Sequence, residues 1–269
     1  MEVYSQLANP AFEAELAVRS ATRDAAFLVP HLRPGMRLLD VGSGPGSITL
    51  GLADIVAPGE VVGVDIQLAQ VERSCSLAAA RGMTNVRFQT GDIYALPFPD
   101  GSFEAAFANG VLMHLAEPLR ALAELRRVLR PGGVAALRDP DFGTSIYAPV
   151  TPLLQRWLAV RAQVRLHNGG DPFRARHYRR LLLDAGFARA EAGASVDSAG
   201  SPEKTARHAV FLKAMLDGFE RTVRAEGWMD QAAIDGMAAE IYAWACRPDA
   251  FYATTWCEAI GWASAHENL

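Results

Sequence analysis

The sequence predicts an α/β fold in which helices cover both faces of a mostly parallel sheet. Three observations carry that expectation. Apolar runs such as "RLLDV" and "EVVGVDI" lack polar alternation, as strands buried on both faces do. Helical periodicity follows each of these runs, the rhythm of a chain that crosses back over a sheet. Between the first strand and its helix stands "GSGPG", where Gly42, Gly44 and Gly46 permit a sharp strand-to-helix turn.

Taken in order, "RLLDV" is the first strand, and Ile48, Leu52, Ile55 and Val56 mark the helix after it. "EVVGVDI" is the second strand, followed by a helix with Leu68, Val71, Cys75 and Ala78 on its inner face. "NVRFQTGD" and "FEAAFANG" are strands three and four. A helix then buries Leu122, Leu125, Val128 and Leu129 until "RPGG" (Arg130 to Gly133) stops it, and "VAALRD" is strand five. Past Asp141 the rhythm changes. Residues 143–170 hold an arginine-rich helix with Trp157, closed by "HNGGDP". Tyr178, Leu181, Leu182 and Ala185 mark a sheet-covering helix ended by Gly186, and "ARAEAGASV" reads as strand six. Residues 201–246 form a long helical insert before the closing aromatic strand "AFYATTWCEAIGWA". The first 32 residues read as helical, with Ser20 as an N-cap. The expected organisation is a helical cap segment over residues 1–34 and a main domain over 35–269. Cap insertions fall at about 142–171 and 200–248.

Composition limits the function classes. The 269 residues carry a net charge of −4, which disfavours nucleic acid as the main partner because phosphates call for a concentrated basic surface. No apolar run approaches the roughly 20 residues of a membrane span, and the N-terminus lacks the basic start and apolar core of a secretory signal. A cytoplasmic protein with no membrane partner is expected. Cys75, Cys246 and Cys257 are odd in number and lack metal-ligand spacing, so idle thiols and no metal are expected. An apolar N-terminal segment could pair two subunits into a homodimer.

The glycines raise the question of ligand. Gly42 suits the tight turn, Gly44 lets a ligand approach the backbone, and the Gly46 amide, at the helix start, would point into the same pocket. A dinucleotide or an adenosyl sulfonium would fit. The spacing G-x-G-x-G, with Ser47 where the dinucleotide pattern wants a third small residue, favours the latter. Asp40 at the end of strand one would repel a pyrophosphate and attract an ammonium group. Asp65 ends strand two, where it can accept both ribose hydroxyls, with Ile66 against the adenine face. Asp92 can accept from the adenine amine, with Ile93 as an apolar contact.

The series "LLDVGSGPG", "VVGVDI", "GDIYALPFPDGSFEAAFANGVLMHL" and "LRRVLRPGG" resembles class I S-adenosylmethionine-dependent methyltransferases. It is most similar to the ubiquinone/menaquinone-type small-molecule group, over residues 35–139. The resemblance implies a Rossmann-like, seven-stranded sheet of order 3-2-1-4-5-7-6, strand seven antiparallel, with S-adenosylmethionine as cofactor. It places Gly42, Ser43, Gly44 and Gly46 at the methionine part, Asp65 at the ribose, Asp92 with Ile93 at adenine, and Asn109 and Gly110 at the methionine end. Outside 35–139 it fades, and the acceptor is open. Two rivals stay beside it: a nicotinamide-dependent oxidoreductase, and a protein that keeps the adenosyl pocket without methylating.

Methyl transfer from a sulfonium is an in-line displacement, so the protein aligns reactants and excludes water, with at most a modest base. His114, after strand four, is the first candidate base. Asp139 and Asp141, flanking Pro140 at the end of strand five, are expected to face the acceptor. His167 reads as a loop residue. Arg176 and Arg180 read as solvated, and Arg174 as able to meet an acidic acceptor. Trp157, Phe211, Trp228, Tyr242, Trp244 and Trp256 lie in or near the cap segments, which suits a small, apolar or aromatic acceptor.

Overall fold

The computed structural model describes residues 10–265. β1 (Leu38–Val41) and β2 (Val61–Asp65) are buried along their whole length. With β3 (Val86–Thr90), β4 (Phe103–Asn109) and β5 (Leu129–Pro140) they form a parallel sheet in the order β3-β2-β1-β4-β5. β8 (Phe251–Trp262) runs antiparallel to β5, and β7 (Arg189–Ala199) pairs along the far side of β8. With β7 and β8 counted as strands six and seven, this is the expected 3-2-1-4-5-7-6 order. An eighth strand is added: β6 (Ile146–Ala148) pairs with β8 at Phe251–Ala253, beyond the Pro140–Trp256 pair where β5 stops.

Alternation along the strands splits the core into two faces. Leu39, Val41, Val62 and Val64 pack with α5 (Pro118–Val128) and α7 (Tyr178–Asp184). Leu38, Val61, Ala105 and Phe107 pack with α2 (Ala21–Asp24) and α3 (Ser47–Val56). A separate apolar cluster joins α6 (Pro152–His167), α8 (Pro202–Ala225) and α9 (Gln231–Ala245), with Trp157, Phe219 and Trp244 buried inside it. Burial of each such side chain stabilises by about 1.5–3 kcal/mol, and Tyr147, Ala199 and Tyr252 tie this helical layer to β6, β7 and β8.

Four local expectations are corrected. Among the described residues the helical expectation for the first 32 residues holds only in pieces, α1 (Pro10–Ala17), the single turn α2 and a 3₁₀ turn at Val29–His31, and its part on residues 1–9 lies outside the described residues. Ser20 stands at an N-cap, but its hydroxyl meets Thr22 while the Asp24 carboxylate accepts its amide at 2.9 Å. α4 (Leu68–Ala80) buries Gln70, Val71, Ser74 and Ala78 and exposes Leu68 and Cys75. It is turned so that Ser74 donates to the Gly44 carbonyl at 2.7 Å. Finally, "RPGG" belongs to β5: α5 stops at Val128, and the extra residues are absorbed as a register shift between the Phe103–Leu129 and Ala105–Val134 pairs.

Candidate functional site

Two adjoining cavities open at the carboxyl ends of the parallel strands, where open α/β sheets bind ligands. The smaller, about 230 Å³, collects Asp40, Gly42, Ser43, Gly44, Asp65, Ile66, Asp92, Ile93, Asn109, Gly110 and His114 from four strand ends. Gly46 does not line it. The Gly46 amide donates back to the Ser43 carbonyl at 3.1 Å, so the expected inward-pointing amide is absent. Its glycine is still required: φ is +83°, and a Cβ would stand 3.0 Å from the Phe88 ring. Gly42 (φ +72°) is more constrained, because a Cβ there would lie 2.4 Å from a Val111 methyl.

The polar groups have a definite sign. The Gly42 and Ser43 amides are spent on the Val64 carbonyl, and the Gly44 amide on Asp65 Oδ2 at 2.9 Å. These loop amides are therefore not on offer to a diphosphate, and Asp40, Asp65 and Asp92 would repel one. Arg19 is the cation among the described residues lining this cavity. Asp40 is buried, with the Thr49 hydroxyl donating to it at 2.6 Å. Burial pushes its carboxyl up to about 7, against the lowering bond from Thr49, and the Asp65 charge adds to the rise. Burial also raises Asp65, which the Gln67 and Gly44 amides oppose. Ser43 Oγ, Gln70 Oε1 and Asn109 Nδ2 are buried at the cavity with no hydrogen-bond partner among the described residues. Buried polar atoms are rarely left so, and here they fit a ligand rich in hydroxyl, amine and carboxylate groups. Ile66 stands 72% exposed, an apolar wall suited to a flat ring. These residues fit an adenosine bearing an amino-acid arm.

The larger cavity, about 410 Å³, lies beyond the ends of β4 and β5, under the helical layer. Leu16, Arg19, Gly110 and His114 line both cavities. His114 Nδ1 lies against an Arg165 guanidinium nitrogen. Burial first, and the Arg165 charge second, hold its pKa well below 6.5, so the imidazole is neutral at physiological pH.

The two aspartates expected to face the acceptor line neither cavity. Asp139 accepts from the Tyr178 hydroxyl and from the Met113 amide at 3.2 Å, and burial raises it to about 6. Asp141 is held by Arg176 through two 2.6 Å bonds and caps the Gly143 amide at 2.8 Å. Both are turned from the two cavities because basic, hydroxyl and amide donors of the neighbouring segments claim them. Asp141→Asn is expected to lower stability by about 1–3 kcal/mol and to change turnover less than threefold, checked by denaturation and initial rates.

Other candidates sort similarly. Arg176 is exposed, as expected, and also pairs with Asp141. Arg174 donates to the Leu112 and Leu115 carbonyls, and Arg180 pairs with Asp184. His167 is the last residue of α6 rather than a loop residue, and it is exposed, near Glu226 and the Trp228 ring. Among the aromatics, Phe211 and Trp256 line the larger cavity, whereas Trp157 and Trp244 are core of the helical layer and Tyr242 is exposed. Arg161, His208 and Tyr252 also line it, and no motif marked them. The available signal was that Arg161 and Arg165 share the helix face of Trp157, Val160 and Val164, where a charge must be buried.

Among the described residues no His, Cys, Asp and Glu group could hold a metal, and no helix is long and apolar enough to cross a membrane.

A methyltransferase-domain family model matches residues 32–169. An uncharacterized methyltransferase of Schizosaccharomyces pombe is 32% identical over 64% of this chain, and the match spans 63% of that protein's length. The probable methyltransferase ltbC of Aspergillus luteorubrus is 29% identical, covering 91% of both chains. The crystal structure of the YcgJ protein of Bacillus subtilis superposes with a TM-score of 0.62 over 90% of this chain and 99% of that one, at 20% identity. The chain belongs to the methyltransferase-domain family, within the class I S-adenosylmethionine-dependent fold that its glycine loop and strand-end aspartates indicated.

Proposed function

We propose that this protein transfers the methyl group of S-adenosylmethionine to a small acceptor with an apolar or aromatic body. The observation that carries this reading is the shared wall: an acidic cavity shaped for the adenosyl amino acid opens, at Gly110 and His114, onto a larger cavity with aromatic walls. The sulfonium supplies an activated methyl and a neutral thioether leaving group, so the chain's residues have to bind, orient and exclude water. Asp65 accepts from the ribose hydroxyls, Asp92 and Ile93 take the adenine, and Asp40 with the Asn109 amide takes the amino-acid arm. The helical layer and the N-terminal helices serve as the cap that closes the acceptor side.

His114 stands where acceptor and methyl meet. Its lowered pKa makes it a weak base, and with Nδ1 turned to Arg165 its main contribution is to orient the acceptor. His114→Ala is expected to lower kcat about tenfold or more and to leave affinity for S-adenosylhomocysteine within threefold. Unchanged turnover would remove it from the reaction. The decisive experiment incubates the protein with methyl-labelled S-adenosylmethionine and a small-metabolite extract and looks for label in a new product. Binding of the cofactor without any labelled product would favour a non-methylating use of the same pocket.

A further inference from the structure

We propose that the acceptor is an organic acid whose carboxylate is anchored by Arg161 in the larger cavity. This rests on the methyl-transfer reading and narrows its substrate class.

Arg161 projects from α6 into that cavity and is only 4% exposed. Its Nη2 donates to Ser145 Oγ, and its guanidinium lies 4.1 Å from the centre of the Phe142 ring. Its Nε is buried with no acceptor, and among the described residues no carboxylate lies within salt-bridge distance. A buried cation without a counter-charge is costly by several kcal/mol, so an anion from outside the chain is the natural partner. Of the acids that line the same cavity, Glu15 pairs with Arg207 and Asp24 with Arg23 and Arg138, while Asp197 is exposed and outside salt-bridge distance of Arg161. His208, beside Arg161, cannot supply the charge, and burial together with the Arg161 field lowers it to about 3.

The rest of the cavity describes the acid's body. Phe142, Phe211, Met215, Tyr252 and Trp256 form apolar walls in a space large enough for a small ring system. Arg161 stands one helical turn before Arg165, which touches His114 at the wall shared with the cofactor cavity. The anchored carboxylate is therefore set back from the methyl, and the methylated atom is another position on the acid.

The test uses the full chain saturated with S-adenosylhomocysteine and, as probes, benzoate and cinnamate against benzamide and cinnamamide, followed by calorimetry. Wild type is expected to bind at least one acid thirtyfold or more tighter than its amide. Arg161→Gln should abolish that preference, and Arg161→Lys should restore part of it. S-adenosylhomocysteine affinity should stay within twofold in both variants. An amide bound as tightly as its acid, no binding of either acid to wild type, or a preference that survives Arg161→Gln overturns the proposal. If Arg161→Gln does not fold, Arg161→Lys and the wild-type acid-against-amide comparison decide. Failure of S-adenosylhomocysteine to bind would instead strike the methyl-transfer reading, and the acid preference can still be read without it.

Discussion

Asp65→Ala is expected to weaken binding of S-adenosylhomocysteine at least a hundredfold while the protein stays folded. Asp65 ends β2 with Oδ2 on the Gly44 amide and Oδ1 on the Gln67 amide, each at 2.9 Å. Each carboxylate oxygen keeps a further lone pair, and the residue lines the cavity, so a ribose diol can donate to both oxygens. Hydrogen bonds to a charged acceptor contribute about 1.5–3 kcal/mol each, and two of them account for a hundredfold or more. The substitution also releases the Gly44 amide, which loosens the loop that the ligand must meet. Asp65→Asn should fall between, because its carbonyl can still accept while its amide nitrogen can only donate. Calorimetry with a melting curve as folding control checks this, and affinity within threefold of wild type in Asp65→Ala would end the ribose assignment.

The second large effect is on pH. Asp40, raised to about 7 chiefly by burial, is protonated in a large fraction of molecules at neutral pH when no ligand is bound. An ammonium group favours the ionised form, so below pH 7 its binding must expel a proton. Affinity for S-adenosylhomocysteine is then expected to rise about tenfold per pH unit from pH 5 to 7 and to level above. Folding runs the other way. A carboxyl whose folded pKa lies above its unfolded 3.8 adds stability that is full below 3.8 and lost as pH rises through 7. Asp139, raised to about 6, acts in the same direction. The ligand-free melting temperature should therefore fall over a window in which the ligand-induced increase grows. His114 is already neutral there and does not contribute to the profile. Asp40→Asn should flatten the binding profile; a flat profile in wild type would show that no ammonium faces Asp40.

The parallel strands and the glycine turn were legible because local sequence dictates them. A strand buried on both faces has to be apolar throughout, and left-handed φ at Gly42, Gly44 and Gly46 excludes most other residues. For the same reason Asp40, Asp65, Asp92 and Asn109 could be placed together: each closes or follows a parallel strand, and parallel strands end on one edge. Where side chains point was less legible. Asp139 and Asp141 also sit at a strand end, yet Tyr178 of α7 and Arg176 of the turn before it, distant in sequence, turn both away from the two cavities.

By itself, then, the amino-acid order determined the class of fold and the acidic cleft for the adenosyl group, since both follow from periodicity and strand ends. Only the tertiary structure decided what faces that cleft. The helical layer buries arginines on the same faces as tryptophans, and whether such an arginine meets a carboxylate of its own chain depends on packing between α6, β6 and β8, which no local pattern encodes. Among the described residues Arg161 has no such partner, and that is a property of the folded molecule alone.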